Sequence, residues 1–170
     1  MPSQTFRRST VLGCILWPAL TLLAAASGGL ASSSARDFYK SLTLPPWAPP
    51  GWLFGPVWTA LYVLMALAAI LVWRRPHHPS RPALALFTAQ LVLNGLWTWL
   101  FFTWRLGAVA LIEILSLLAL IVCTLVTFAR VSRVAAILLV PYLAWVTFAS
   151  YLSLTIWRLN PAILGPFPLP

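Results

Sequence analysis

The chain has 170 residues, of which 61% are hydrophobic and 8% charged, and its only acids are Asp37 and Glu113. So few polar groups cannot cover a globular surface in water, and a mean hydropathy of +0.91 makes lipid the solvent for most of the surface. The net charge of +9 comes largely from arginines clustered between apolar runs: Arg7 and Arg8, then Arg74, Arg75 and Arg81, then Arg130 and Arg133. Such clusters suit anionic headgroups and form no basic face long enough to follow a nucleic acid backbone, so nucleic acid is excluded as a partner.

Crossing a hydrocarbon core takes roughly 20 helical residues, and five segments reach that length, at about 11–31, 52–73, 82–102, 106–129 and 134–157. None alternates as a barrel strand would, and backbone groups in lipid must be satisfied within their own segment. The fold class is therefore an all-α integral membrane bundle of five transmembrane helices over about 11–160, with tails at 1–10 and 161–170. The lipid bilayer is its first partner.

The first run follows Phe6, Arg7 and Arg8, which is also how a cleaved secretory signal begins. Its apolar stretch is longer than a usual signal core, which favours a retained helix, where Gly28 and Gly29 would let a neighbour approach closely. The loop at about 32–51 holds Pro45, Pro46, Pro49 and Pro50, too many prolines to be helical throughout. It is the chain's least ordinary element. In the second span Trp58 and Tyr62 are four apart and share a face.

The next loop, RRPHHPSRP, holds His77 and His78 without a nearby Cys, Asp or Glu to complete a metal site, so no metal is expected. In the third span Gln90, Asn94, Trp97 and Phe101 recur at steps of four, three and four. That stripe is polar and aromatic together, and it either glues helices or walls a pocket. Glu113 lies roughly 10 Å into the fourth span, where ionisation is costly. A protonated, hydrogen-bonded structural acid is the first reading, with an oligomer contact or a proton relay as alternatives. In the fifth span Trp145, Ala149 and Leu152 form a stripe, and Pro141 implies a kink. Cys14 and Cys123 fall in apolar runs and read as small core residues.

Tryptophans at span ends, Trp52, Trp73, Trp104 and Trp157, read as interfacial anchors, whereas Trp58, Trp97 and Trp145 lie deeper. Flat aromatic surfaces with a few amides suit a large, planar, mostly apolar ligand. There is no Ser, His and acid set, no carboxylate pair and no glycine-rich phosphate loop, so hydrolytic and phosphoryl-transfer enzymes lack their parts. Loop arginines and lysines number seven on the amino-terminal side against four opposite, which favours a cytoplasmic amino terminus by the positive-inside rule. A cell membrane is expected ahead of an organelle's outer membrane, where that rule does not read the compartment.

Three stretches together resemble the TspO family, also called the translocator protein or peripheral benzodiazepine receptor family. They are LPPWAPPGWLFGPVWTALY from Leu44, QLVLNGLWTWLFF from Gln90 and VPYLAWVTFASYLSLTIWRLN from Val140. The resemblance implies a five-helix bundle, often a homodimer, whose first loop caps a ligand cavity. By that likeness the lining is Tyr39 and Pro49 of the loop, Trp58 and Tyr62, then Asn94, Trp97 and Thr98, then Trp145 and Ala149. It also implies a porphyrin ligand, such as protoporphyrin IX or a heme-like tetrapyrrole, or another hydrophobic small molecule, with no obligatory cofactor. Trp58 and Trp145 match the family's tryptophans associated with porphyrin binding and light-dependent breakdown. The function implied is a receptor or sensor regulating tetrapyrrole or stress responses. A porphyrin transporter and a light-dependent porphyrin-degrading enzyme are the alternatives, the first weakened because no inverted repeat is visible. Two departures stand out. Leu152 is followed by Ser153 where members commonly have Asn, and Leu154 replaces the Tyr of the sterol pattern, so cholesterol binding is not implied.

Overall fold

The computed structural model describes residues 4–31, 35–75 and 80–166, and side chains from residue 11 onward within these except that of Arg36. The elements are α1 (Gln4–Ala31), α2 (Ala35–Ser41), a 3-10 turn (Gly51–Leu53), α3 (Phe54–Trp73), α4 (Ser80–Thr98), a π-helical turn (Trp99–Thr103), α5 (Gly107–Val131), α6 (Arg133–Leu159) and α7 (Pro161–Leu164). Five stretches are long and apolar enough to cross a membrane: Val11–Ala31, Gly51–Trp73, Ser80–Thr103, Gly107–Val131 and Arg133–Leu159. The architecture is a five-helix transmembrane bundle, without a strand among the described residues.

The long helices form a ring in the order α1, α3, α6, α5, α4, with α4 closing back on α1. Side-chain size explains how closely they approach. Met65, Ala68, Ala69 and Val72 of α3 are fully buried, and the two alanines leave room for Phe87, Phe128 and Tyr142 to fill the centre. Phe87 sits 5.8 Å from both Trp17 and Phe128, joining α1, α4 and α5. At the opposite end Phe38, Tyr39 and Leu42 of the capping segment pack with Phe101, Leu152, Ile156 and Trp157. That second core holds the loop onto the bundle.

Several expectations are corrected. The first helix starts at Gln4 and takes in part of the expected 1–10 tail, because a helix continues past the lipid edge where polarity alone no longer marks it. The 32–51 loop contains α2, whose sequence ARDFYKS precedes the prolines and carries nothing that breaks a helix. The expected 161–170 tail begins with one helical turn that buries Leu164. Cys14 and Cys123 are exposed, so both face the lipid side rather than the core. Trp157 is 5% exposed and donates its indole N–H to the Gly165 carbonyl at 2.9 Å, and it is therefore a packed residue and not an interfacial anchor. Trp52 and Trp104 are exposed, as anchors are. Gly28 lies close to Thr98, whereas Gly29 faces open space. His77 and His78 lie outside the described residues. α6 runs through Pro141 as one helix.

Candidate functional site

Side chains from three different helices meet around one amide. Tyr62 of α3 donates its hydroxyl to Asn94 Oδ1 at 2.6 Å, and Asn94 Nδ2 donates to the Tyr142 hydroxyl of α6 at 3.2 Å. Asn94 is 4% exposed and Tyr142 is fully buried, so the network takes the place of water for an amide and a phenol inside an apolar bundle. Trp58, one helical turn before Tyr62, lies 5.5 Å from that ring and 6.3 Å from Tyr142. Thr98, one turn after Asn94, faces Gly28 of α1 together with the Tyr62 hydroxyl.

A second aromatic group runs from the loop into the same wall. Tyr39 of α2 packs edge-on to Phe54 at 5.5 Å, and Phe54 packs edge-on to Trp145 at 5.8 Å. Phe54 is one turn before Trp58 on α3, and Trp145 is three residues after Tyr142 on α6. The two groups are therefore one surface, continued along α6 by Ala149. Tyr39 also donates its hydroxyl to the Pro49 carbonyl at 3.0 Å, fixing the end of the loop above this wall. Burial pushes the Tyr39 hydroxyl above the ordinary phenol range, which keeps it a donor at neutral pH.

Trp97 stands at the join of the two cores, stacked on Phe101 at 5.2 Å and edge-on to Phe102 at 5.8 Å. The π-helical turn that follows widens the helix by one residue, with Trp104 N–H bonded to the Trp99 carbonyl, so Leu100 and Phe101 both turn inward. The indole N–H groups of Trp97 and Trp145 are buried and have no acceptor among the described residues. Such donors suit a ligand that brings acceptor oxygens to a mainly aromatic surface.

All nine residues anticipated for the site lie on these connected elements. Gln90 does not join the network: it is fully buried, and neither atom of its amide has a partner among the described residues. Four contributors were missed. Tyr142 is the network's third member, signalled by its spacing of three from Trp145, and Phe54 is signalled by its spacing of four from Trp58. Trp47 stacks on Tyr151 at 5.2 Å and meets Phe148 at 6.0 Å, laying the middle of the loop against α6. Asn160 accepts from the Thr43 N–H at 2.8 Å and donates to the Thr43 carbonyl at 2.9 Å, clamping the loop's start. Nothing local in the sequence announces that pair.

Among the described residues no three of His, Cys, Asp and Glu come together as metal ligands. The model of the TspO/MBR family matches residues 15–158. The chain is 43% identical over 129 residues to the tryptophan-rich protein TspO of Chlorobaculum tepidum, covering 75% of this chain and 82% of that one. It is 39% identical over 173 residues to the translocator protein of Homo sapiens, covering 100% and 96%. It is 37% identical over 148 residues to the tryptophan-rich sensory protein of Cereibacter sphaeroides, covering 85% and 92%.

Proposed function

We propose, from the premise that this chain belongs to the TspO/MBR family of multi-pass membrane proteins, that it binds porphyrins and other hydrophobic ligands within the bundle and acts as a receptor or sensor in tetrapyrrole or stress responses. The observation that carries this reading is the Tyr62–Asn94–Tyr142 network set into a wall of Trp58, Phe54 and Trp145 beneath a clamped loop. A tetrapyrrole is planar and mostly apolar with acceptor groups at its rim. It would gain from stacking on the indoles and from the free N–H groups of Trp97 and Trp145. Tyr39 and Pro49 would cover it, and Ala149 would leave room beside Trp145. The name of the Cereibacter relative, a sensory protein, favours sensing for that relative and supports the same reading here.

In a cell membrane the charge distribution supports a cytoplasmic amino terminus, and the exposed apolar helix faces leave room for a homodimer within the lipid. The test is a titration of protoporphyrin IX into folded, detergent-purified protein, following tryptophan quenching in the dark and porphyrin absorbance under light in air. Saturable quenching supports binding, and its absence in folded protein removes the porphyrin reading. Bleaching under light that disappears in Trp145→Phe while dark binding persists would move the function to photochemical degradation, with dioxygen as oxidant.

A further inference from the structure

The chain leaves the π-helical turn through one residue in the left-handed region, Arg105, at φ 57°. Glycine takes that conformation freely at a helix end, whereas a residue with a β-carbon is strained in it, so a contact of the Arg105 side chain has to offset the strain. The turn itself is closed by backbone bonds that any residue would allow: the Trp104 N–H reaches the Trp99 carbonyl at 2.8 Å and the Leu106 N–H reaches the Leu100 carbonyl at 3.0 Å. What the arginine adds is its guanidinium, whose carbon lies 4.8 Å from the centre of the Phe38 ring on α2. A cation over an aromatic face is attracted by the ring's quadrupole. Phe38 is 7% exposed and also packs edge-on to Phe102 at 6.3 Å, and Phe102 meets Trp97 edge-on at 5.8 Å. Contact therefore runs unbroken from Arg105 through Phe38 and Phe102 to the ligand wall.

The capping segment is tied to the bundle on three sides, and the ties differ in kind. Toward α6, Asn160 holds both backbone groups of Thr43. Toward α3, Tyr39 packs on Phe54 and its hydroxyl is fixed to the Pro49 carbonyl. Toward the turn between α4 and α5 the tie consists of the Phe38 ring against Phe102 and Arg105. Parting α2 from that turn breaks no hydrogen bond among the described residues. Arg105 is exposed and stands between the spans that end at Thr103 and begin at Gly107, so its guanidinium lies at the lipid edge, where water solvates it as soon as it leaves the ring.

We propose that Arg105 is the latch of the capping segment, and that the seam between α2 and the π-helical turn is where the cap opens to admit a hydrophobic ligand to the wall beside Trp97. The passage of ligand rests on the binding reading above, and the latch does not. The first test is therefore hydrogen–deuterium exchange of ligand-free protein in phosphatidylcholine nanodiscs. Arg105→Asn removes the cation and keeps a residue that tolerates the left-handed region. Peptides spanning residues 38–42 should exchange about two- to fivefold faster, the size of an exposed cation–π contact, while peptides around Phe87 keep the wild-type rate. In a Phe38→Leu background, where the aromatic face is gone, Arg105→Asn should add nothing. Equal exchange in wild type and Arg105→Asn would overturn the latch, and so would the same acceleration with and without the Phe38 ring. Stopped-flow quenching by protoporphyrin IX then tests the passage: association and dissociation should quicken by the same factor in Arg105→Asn with affinity unchanged, because the latch touches the route and not the wall. Unchanged rates alongside faster exchange would overturn the passage alone. No saturable quenching in folded wild type would overturn it together with the binding reading, and the exchange result would still decide the latch.

Discussion

Replacing Asn160 with Leu should release the capping loop while leaving the bundle intact. The Asn160 side chain is 5% exposed and holds both backbone groups of Thr43, at 2.8 and 2.9 Å, while a third bond at 2.8 Å to the Ile156 carbonyl keeps the amide aimed. Leu keeps roughly the volume but removes the amide. Each lost bond is worth about 1 kcal/mol net, so local opening should become easier by about 2 kcal/mol. At tenfold per about 1.4 kcal/mol, the Thr43 amide should exchange with deuterium about 30-fold faster. Hydrogen–deuterium exchange read on peptides spanning 42–50, with peptides around Phe87 as the internal reference, measures this. A rise of less than about threefold at Thr43 would show that the clamp does not hold the loop. An equal rise around Phe87 would show general unfolding instead.

Further outcomes follow from other contacts. Tyr39→Phe removes the bond to Pro49 and should lower stability by about 1 kcal/mol. Because burial raises the Tyr39 hydroxyl in the folded protein, its contribution is full below the unfolded value of about 10 and is lost as pH rises through the folded value. The melting difference between wild type and Tyr39→Phe should therefore be constant through neutral pH and shrink in strong alkali, and a difference that changes near neutrality would contradict this assignment. Asn94→Leu strips the partner from two tyrosine hydroxyls and should cost about 2–4 kcal/mol in denaturant unfolding, more than Tyr62→Phe at about 1 kcal/mol; equal costs would mean Asn94 is no hub. Gly107→Ala drives a methyl into the Trp157 indole and should cost about 1–3 kcal/mol, and a neutral thermal shift would refute the close approach of α5 to that indole.

The five spans were legible because hydropathy over roughly 20 residues reports directly on lipid as solvent. Shared faces were legible, since spacings of four and three put Trp58 with Tyr62 and Asn94 with Trp97 on one side of their helices, while their gathering across helices was implied by the resemblance. Facing was harder to read where both sides of a helix are apolar. Cys14 and Cys123 look alike inward or outward by composition, and only packing turns them to the lipid. Trp157 had the position of an anchor, yet the missing side chain of Gly107 opens a seat for it inside the bundle. The Thr43–Asn160 clamp joins residues 117 apart through backbone atoms, which leave no residue-type signature in a single sequence. α2 was hidden because seven residues are too few for a periodicity to stand out from a proline-rich loop.

The most direct test of the account is the dark affinity of protoporphyrin IX for the wild type and for the Trp58→Phe, Trp145→Phe double variant, with fold checked by thermal melting. Losing two stacked indoles at about 1.5 kcal/mol together should weaken binding by about tenfold while saturation persists. Equal affinity in the two folded proteins would place the ligand elsewhere and contradict the central claim.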